Sequence, residues 1–242
     1  PISYAEWSQG RFDPTIGPLV DLWGIGNEGA TVPEENRIAE LLPLVDYRQV
    51  ELDPEASTIY LKKPGMSLDL GAIGKGYAAD VVAAWLKENG VQSAILDLGG
   101  NLMALGEKPG GKAWSIGIQD PAENRGEHLG IVTARDMTLV SSGIYERYFV
   151  QDGKHYHHIL DTKNGYPVDN ELLSVTIVTN RSTEADALST SVFAMGLERG
   201  MAAVESRENT EAIFVTKNNK LYVTSGLADS FTVTNPSYEW VE

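Results

Sequence analysis

The sequence has no cysteine among its 242 residues, which excludes disulfides, thiolate metal sites and cysteine nucleophiles. An oxidising compartment suits such a chain at least as well as a reducing one. Histidine is scarce too: four residues are too few to suggest a histidine-built zinc centre. Basic residues are in deficit, with 19 Lys and Arg against 34 Asp and Glu. The resulting formal charge of −15 argues against nucleic acid and anionic membrane surfaces as partners. No apolar run is long enough to cross a bilayer, and no signal peptide is recognisable. No stretch of biased composition marks a linker, so the chain reads as one domain over residues 1–242. It starts at Pro1 without a methionine, which fits removal of an upstream segment. What is present is 42% hydrophobic, enough for a substantial core. If so acidic a protein handles phosphate it needs local positive charge, and a divalent cation held by carboxylates is the simplest source.

The chain is organised around Leu68-Asp69-Leu70-Gly71-Ala72-Ile73-Gly74-Lys75-Gly76-Tyr77-Ala78-Ala79-Asp80, a strand breaking into a glycine-rich turn that opens a helix. Val81, Val82, Ala84, Trp85 and Leu86 continue the helix's apolar pattern to a stop at Asn89-Gly90. Gly71, Gly74 and Gly76 allow backbone N–H groups to approach a ligand, and the first helical turn offers unpaired donors. Lys75 in that turn opposes the helix dipole, an arrangement that an anion would relieve. Two readings stand side by side: an anion site, or only a tight strand-to-helix connection. The stretch is not a Walker A loop, since Gly76 rather than Ser or Thr follows Gly74-Lys75, and its glycine spacing does not fit a dinucleotide fingerprint.

Along the rest of the chain, Ile2 to Gln9 reads as a helix, Thr15 as the cap of a helix ending at Leu22-Trp23, and Pro33 to Leu42 as another. Strands are expected at Tyr47–Leu52, Thr58–Lys62, Met66–Leu70, Ala94–Leu98 and Leu102–Leu105. Further strands are expected at Trp114–Ile118, Leu129–Ala134, Thr138–Ser141, Tyr145–Val150, His157–Leu160 and Leu173–Val178. Helices follow over Glu184–Ala194 and, after Gly196, through Val204, and Ala212–Thr216 with Leu221–Thr224 make a hairpin over Asn218-Asn219. Strands outnumber helices and mostly join through hairpins, so the class is α+β with helices packed on a largely antiparallel sheet.

Two constellations could carry chemistry. Asp186 and Thr190 lie four apart on one helix face and both offer hard oxygen ligands suited to Mg²⁺. Equally, Thr190 could bond back to the Asp186 carbonyl and leave Asp186 as an ordinary helix-start acid. His155, His157 and His158 cluster just before Asp161. Strand alternation sends His157 and His158 to opposite faces, and a neutral histidine beside a carboxylate could act as a general base.

Taken in order, these pieces resemble the ApbE family, the FAD:protein FMN transferases once described as thiamine-biosynthesis lipoproteins. The matching stretches are Phe12-Asp13-Pro14-Thr15-Ile16-Gly17-Pro18-Leu19, Asp69 to Asp80, Leu98-Gly99-Gly100-Asn101, Ser141-Ser142-Gly143 before Tyr145-Glu146-Arg147-Tyr148, His157-His158-Ile159-Leu160-Asp161 before Gly165-Tyr166-Pro167, and Ala185-Asp186-Ala187-Leu188-Ser189-Thr190. The resemblance spans nearly the whole chain. It implies an ApbE-like, T-fold-related α+β domain without the family's usual N-terminal segment. It also implies Mg²⁺-dependent transfer of the FMN half of FAD to a threonine or serine hydroxyl of an acceptor flavoprotein, with release of AMP. By resemblance, Asp186, Thr190 and the backbone carbonyl of Ala72 hold the metal. Asp69 and Lys75 contact the flavin nucleotide, and Thr15, Gly99, Gly100, Asn101 and Ile159 line the pocket. His158 activates the acceptor hydroxyl, and His157 stands where the family often has serine. The acceptor would be a subunit of a redox complex or an extracellular reductase, and the expected location is extracytoplasmic, membrane-associated through a lipoprotein anchor. Two other activities fit the same residues: an FAD pyrophosphatase yielding FMN and AMP, and a non-catalytic flavin-binding protein. The usual Asp-Pro-x-Thr-Gly after the histidines is here Asp161-Thr162-Lys163-Asn164-Gly165.

Overall fold

The computed structural model describes residues 1–241. In chain order it comprises α1 (Ile2–Trp7), α2 (Gly17–Trp23), α3 (Glu35–Leu41), β1 (Val50–Asp53), β2 (Thr58–Leu61), α4 (Gly74–Glu88), β3 (Ser93–Asp97) and β4 (Asn101–Gly106). There follow β5 (Trp114–Gln119), β6 (His128–Ala134), β7 (Met137–Gly143), β8 (Tyr148–Gln151), β9 (Lys154–His157) and β10 (Leu172–Thr179). The chain closes with α5 (Ser182–Met195), α6 (Leu197–Glu205), β11 (Glu211–Thr216), β12 (Lys220–Val223), β13 (Phe231–Val233) and β14 (Glu239–Val241). The class is α+β with mostly antiparallel pairing, as the strand and hairpin signals indicate. Among the described residues no helix is long and apolar enough to cross a membrane.

The chain forms two compact units, each assembled from two segments: Pro1–Gly71 with Ile144–Asp169, and Ala72–Gly143 with Asn170–Glu242. The chain crosses from one to the other after Gly71, Gly143 and Asp169, and no composition-biased linker marks those points in the sequence.

The first unit carries α1 to α3 and the hairpins β1–β2 and β8–β9. Its core gathers Leu19, Trp23, Ile38 and Leu160. Trp23 packs against Phe149, Tyr156 and Tyr166, and its indole N–H donates to the Gly165 carbonyl at 2.7 Å, so the buried ring satisfies its one polar atom. The expected cap at Thr15 is instead Asp13: its carboxylate accepts from Thr15 N (2.8 Å) at the start of a 3₁₀ turn, Pro14–Ile16, that leads into α2. Met66–Leu70 is not a strand. It runs outside any ladder and is held by Asp69 N donating to the Pro14 carbonyl at 2.8 Å.

The second unit is a seven-stranded sheet in the order β14-β12-β11-β10-β7-β4-β3, antiparallel except where β14 joins β12. Neither β13 nor β14 was expected from the sequence; at three residues each they are too short for a periodic signal. Period-2 alternation on β10 sends Ser174, Thr176 and Val178 to one face and Val175 and Ile177 to the other. One face packs against the three-stranded sheet β13-β6-β5 through Val178, Ile213, Val215, Ile116, Val132 and Phe231. The other face is covered by α5 and α6, with α4 packed on α5.

Helix α4 departs from its sequence pattern. Its buried face is Gly76, Ala79 and Ala83, while Tyr77, Val81, Val82 and Trp85 are exposed. Small residues win that face because α5 approaches closely. A Cβ on Gly76 would overlap the Ser182 carbonyl and come within 2.8 Å of Asp186 Cβ.

Candidate functional site

In the second unit, the turn after Gly71 delivers α4 against α5, and the two helices are joined at two points. At the first, Gly76 N–H donates to Asp186 Oδ2 at 2.8 Å. At the second, one turn along α4, the Asp80 carboxylate accepts from Ser182 N (2.8 Å), Thr183 N (2.9 Å) and Thr183 Oγ1 (2.5 Å). Helix α5 has no cap from its own N-cap residue, Arg181, so Asp80 supplies one from a different helix. Nothing in the local pattern around Asp80 marks this role, since the residues it caps are a hundred positions away.

Three of the residues expected at the metal and phosphate site, Ala72, Lys75 and Asp186, lie in or against the first turn of α4. Gly76 sends its N–H to Asp186 rather than four residues back, which leaves the Ala72 carbonyl without that helical bond. Asp186 is buried, and burial raises its carboxyl above the ordinary range, while the Gly76 N–H and the nearby Lys75 charge act in the opposite direction. Lys75 itself is exposed in the first turn. Thr190, half-buried one turn beyond Asp186, does not bond back to the Asp186 carbonyl. Ser189 Oγ takes that acceptor at 2.9 Å, and Thr190 Oγ1 lies 3.3 Å from Ser142 Oγ on β7.

Among the described residues there is no group of three or more His, Asp or Glu side chains that could hold a metal. The oxygens the resemblance names, on Asp186, Thr190 and Ala72, are one carboxylate, one hydroxyl and one carbonyl. That set fits Mg²⁺, which keeps several waters and takes one or two carboxylates plus substrate phosphate, and it fits a cation demanding an all-protein cage poorly. A buried carboxylate whose charge is penalised by burial is also what a bound cation would stabilise.

Gly99 and Gly100 are exposed at the β3–β4 turn, both with positive φ (66° and 87°). A two-residue hairpin loop asks for that backbone and therefore for glycine. Asn101 beside them is fully buried. Its Oδ1 accepts from Ser182 Oγ at 2.6 Å, which ties β4 to the start of α5, and its Nδ2 has no hydrogen-bond partner.

The other expected residues lie in the first unit. Thr15 is fully buried, its hydroxyl donating to Asp13 Oδ1 (2.6 Å) and accepting from Asp46 N (2.8 Å). Asp69 is half-buried and folds over its own turn, accepting from Gly71 N at 2.7 Å. Ile159 is buried. His157 ends β9, is buried, and donates from Nε2 to the Val168 carbonyl (2.9 Å) while Nδ1 accepts from Ile159 N (3.3 Å). His158 is half-buried, and its backbone N–H donates to the Arg147 carbonyl at 3.1 Å. That same carbonyl lies 3.2 Å from Nδ1. A carbonyl only accepts, so Nδ1 carries a hydrogen. A polar crevice of about 390 Å³ in this unit, edged by Glu6, Asp13, Asp46, Arg48 and Lys163, holds none of the expected ligand contacts.

These stretches have counterparts in known proteins. The profile of the ApbE family matches residues 2–214. An FAD:protein FMN transferase of Klebsiella pneumoniae (strain 342) is 43% identical over 231 residues, 96% of this chain and 71% of that protein. One from Treponema pallidum (strain Nichols) is 39% identical, over 95% of this chain and 67% of its own length. Among solved structures, an ApbE protein from Thermotoga maritima superposes with a TM-score of 0.85 at 35% identity, over 93% of this chain and 73% of the other. The flavin transferase ApbE from Vibrio cholerae gives 0.83 at 30% identity, over 95% and 74%. With a profile match over most of its length, relatives at this identity and the same fold, the chain belongs to the ApbE family.

Proposed function

We propose that this chain is an FAD:protein FMN transferase: it moves the FMN half of FAD onto a threonine or serine hydroxyl of an acceptor flavoprotein, depends on Mg²⁺ and releases AMP. The observation that carries this reading is the α4–α5 junction, where Gly76 N–H holds the buried Asp186 carboxylate one turn from Thr190 and leaves the Ala72 carbonyl available. Family membership supports the flavin chemistry, since the relatives are named for it.

In this reading Asp186, Thr190 and the Ala72 carbonyl hold Mg²⁺, which when bound neutralises pyrophosphate charge. The exposed Lys75 ammonium stabilises negative charge that develops on the phosphoryl oxygens; the family resemblance assigns FAD contacts to Gly99, Gly100 and Asn101 in the second unit and to Asp69, Ile159 and Thr15 in the first. His158 accepts the acceptor hydroxyl's proton as that oxygen forms a bond to the FMN phosphorus. The P–O anhydride bond to AMP breaks, and AMP leaves as a phosphate. No nucleophile of the protein's own is required, so positioning and charge stabilisation supply most of the rate. The lack of cysteine fits an extracytoplasmic location, where acceptor subunits of redox complexes and extracellular reductases would be met.

The test is incubation with FAD and Mg²⁺, with and without a candidate acceptor domain, following AMP and the acceptor's mass. An acceptor mass gain equal to FMN, abolished by a chelator, is expected. AMP release without labelling by any of several acceptor domains would replace the transferase with a pyrophosphatase. FAD binding with neither product would leave a flavin-binding protein.

A further inference from the structure

Thr190 can ligate a cation only through an oxygen lone pair, so its hydroxyl proton must point elsewhere. Three further hydroxyl and carbonyl groups around it decide where. Ser189 Oγ lies 2.9 Å from the Asp186 carbonyl, Ser142 Oγ lies 2.8 Å from Ser189 Oγ, and Thr190 Oγ1 lies 3.3 Å from Ser142 Oγ. Each hydroxyl has one proton to donate, and a carbonyl has none. The Asp186 carbonyl therefore takes the proton of Ser189. Ser189 Oγ, with its proton committed, accepts from Ser142, and Ser142 in turn accepts from Thr190. One backbone carbonyl thus sets the direction of the whole chain, Thr190 to Ser142 to Ser189 to Asp186.

We infer that Ser142 and Ser189 are positioning residues for the metal site: they draw the Thr190 proton toward β7 and so present that oxygen's lone pairs to the cation. The inference rests on the metal assignment made above. Strand alternation explains why Ser142 and not Ser141 does this. Positions 138, 140 and 142 of β7 face the helices, with Thr138 Oγ1 donating to Ser182 Oγ at 3.1 Å, while Ser141 bonds Thr176 at 2.8 Å on the opposite face. Ser189 is fully buried, so water does not compete for its bonds. Without the chain, the Thr190 hydroxyl has a stronger acceptor one turn away, the Asp186 carboxylate, and a proton shared between those two ligands blocks both.

Mn²⁺ binding to the whole chain, measured by the loss of the free-ion electron paramagnetic resonance signal, reads this directly without turnover. S142A is expected to weaken Mn²⁺ about tenfold, roughly 1.4 kcal/mol, and S142T, which restores a hydroxyl on a strand that favours β-branching, to recover most of it. S189A reverses the donor direction from Ser142 and is expected to weaken Mn²⁺ likewise; it is the second variant should S142A fail to fold. If S142A and S189A bind Mn²⁺ as the parent does while D186A does not bind, the hydroxyl chain has no such role and the metal assignment stands. If D186A binds as the parent does, the metal assignment itself is wrong, and this inference with it.

Discussion

The two units each bury an aspartate whose carboxyl is pushed above its ordinary range by desolvation, and the two are held in different ways. In the first unit, Asp13 accepts three hydrogen bonds from two segments: Thr15 N (2.8 Å), Thr15 Oγ1 (2.6 Å) and Tyr47 N (2.9 Å). Both its oxygens are committed to holding a loop against a turn. In the second unit, Asp186 is held by backbone N–H groups of a single helical turn, with the cationic Lys75 close by. Burial and shift direction are the same for both, so neither separates scaffold from ligand; the difference lies in what each carboxylate oxygen has left to offer. Asp80 sharpens the contrast. It lies in the same unit as Asp186, yet its oxygens accept from Ser182 and Thr183, which makes it a committed group like Asp13.

Substitutions test that contrast, and the largest effect belongs to the contact beneath it. Gly76→Ala forces a Cβ into the Ser182 carbonyl, where backbone must move, and is expected to cost about 3 kcal/mol or to prevent folding. Chemical denaturation would show this, and an unchanged midpoint would mean that α4 and α5 are not in such close contact. Asp13→Asn comes next. An amide cannot accept at both ends, so its NH₂ is turned on either Thr15 or Tyr47 N–H, a loss of about 2 kcal/mol. A variant as stable as the parent would remove Asp13 from the committed class. Asp80→Ala removes the cap of α5 and should cost about 1 kcal/mol, with weaker Mg²⁺ binding measurable by calorimetry because α5 carries Asp186 and Thr190.

The smallest effect has the opposite sign. The folded-state pKa of Asp186 lies above 3.8, so the folded chain keeps a proton that the unfolded chain has lost. Stability is therefore full below that value, falls as pH rises through the raised one, and stays lower beyond it. Asp186→Asn, whose carbonyl still accepts from Gly76, should then melt slightly higher than the parent at pH 7 in metal-free buffer. The difference should close near pH 3, and added Mg²⁺ should raise only the parent's melting temperature. An Asp186→Asn variant that melts well below the parent at both pH values, as Asp13→Asn is expected to, would place Asp186 with the committed carboxylates.

What the sequence determined by itself is what short range and period can carry. Helices α5 and α6, the β3–β4 and β11–β12 hairpins and the α+β class follow from apolar spacing and from Gly and Asn at the turns, because those signals are local. The ordered motifs likewise point to the family, and the roles proposed for Asp186, Thr190, Lys75 and His158 rest on that resemblance. Only the tertiary structure decided which of these residues are tied down and by what. Thr15 gave up its capping place to Asp13 because Asp46 and Tyr47 arrive from thirty positions away, and Met66–Leu70 found a carbonyl of Pro14 instead of a partner strand. Helix α4 buries its glycine and alanines rather than its large apolar side chains because another helix presses against it. The bonds from Gly76 to Asp186, Asp80 to Ser182 and Ser142 to Ser189 join residues 47 to 110 positions apart. Hydrogen-bond direction and desolvation depend on the neighbours that folding brings up, and no local pattern encodes those.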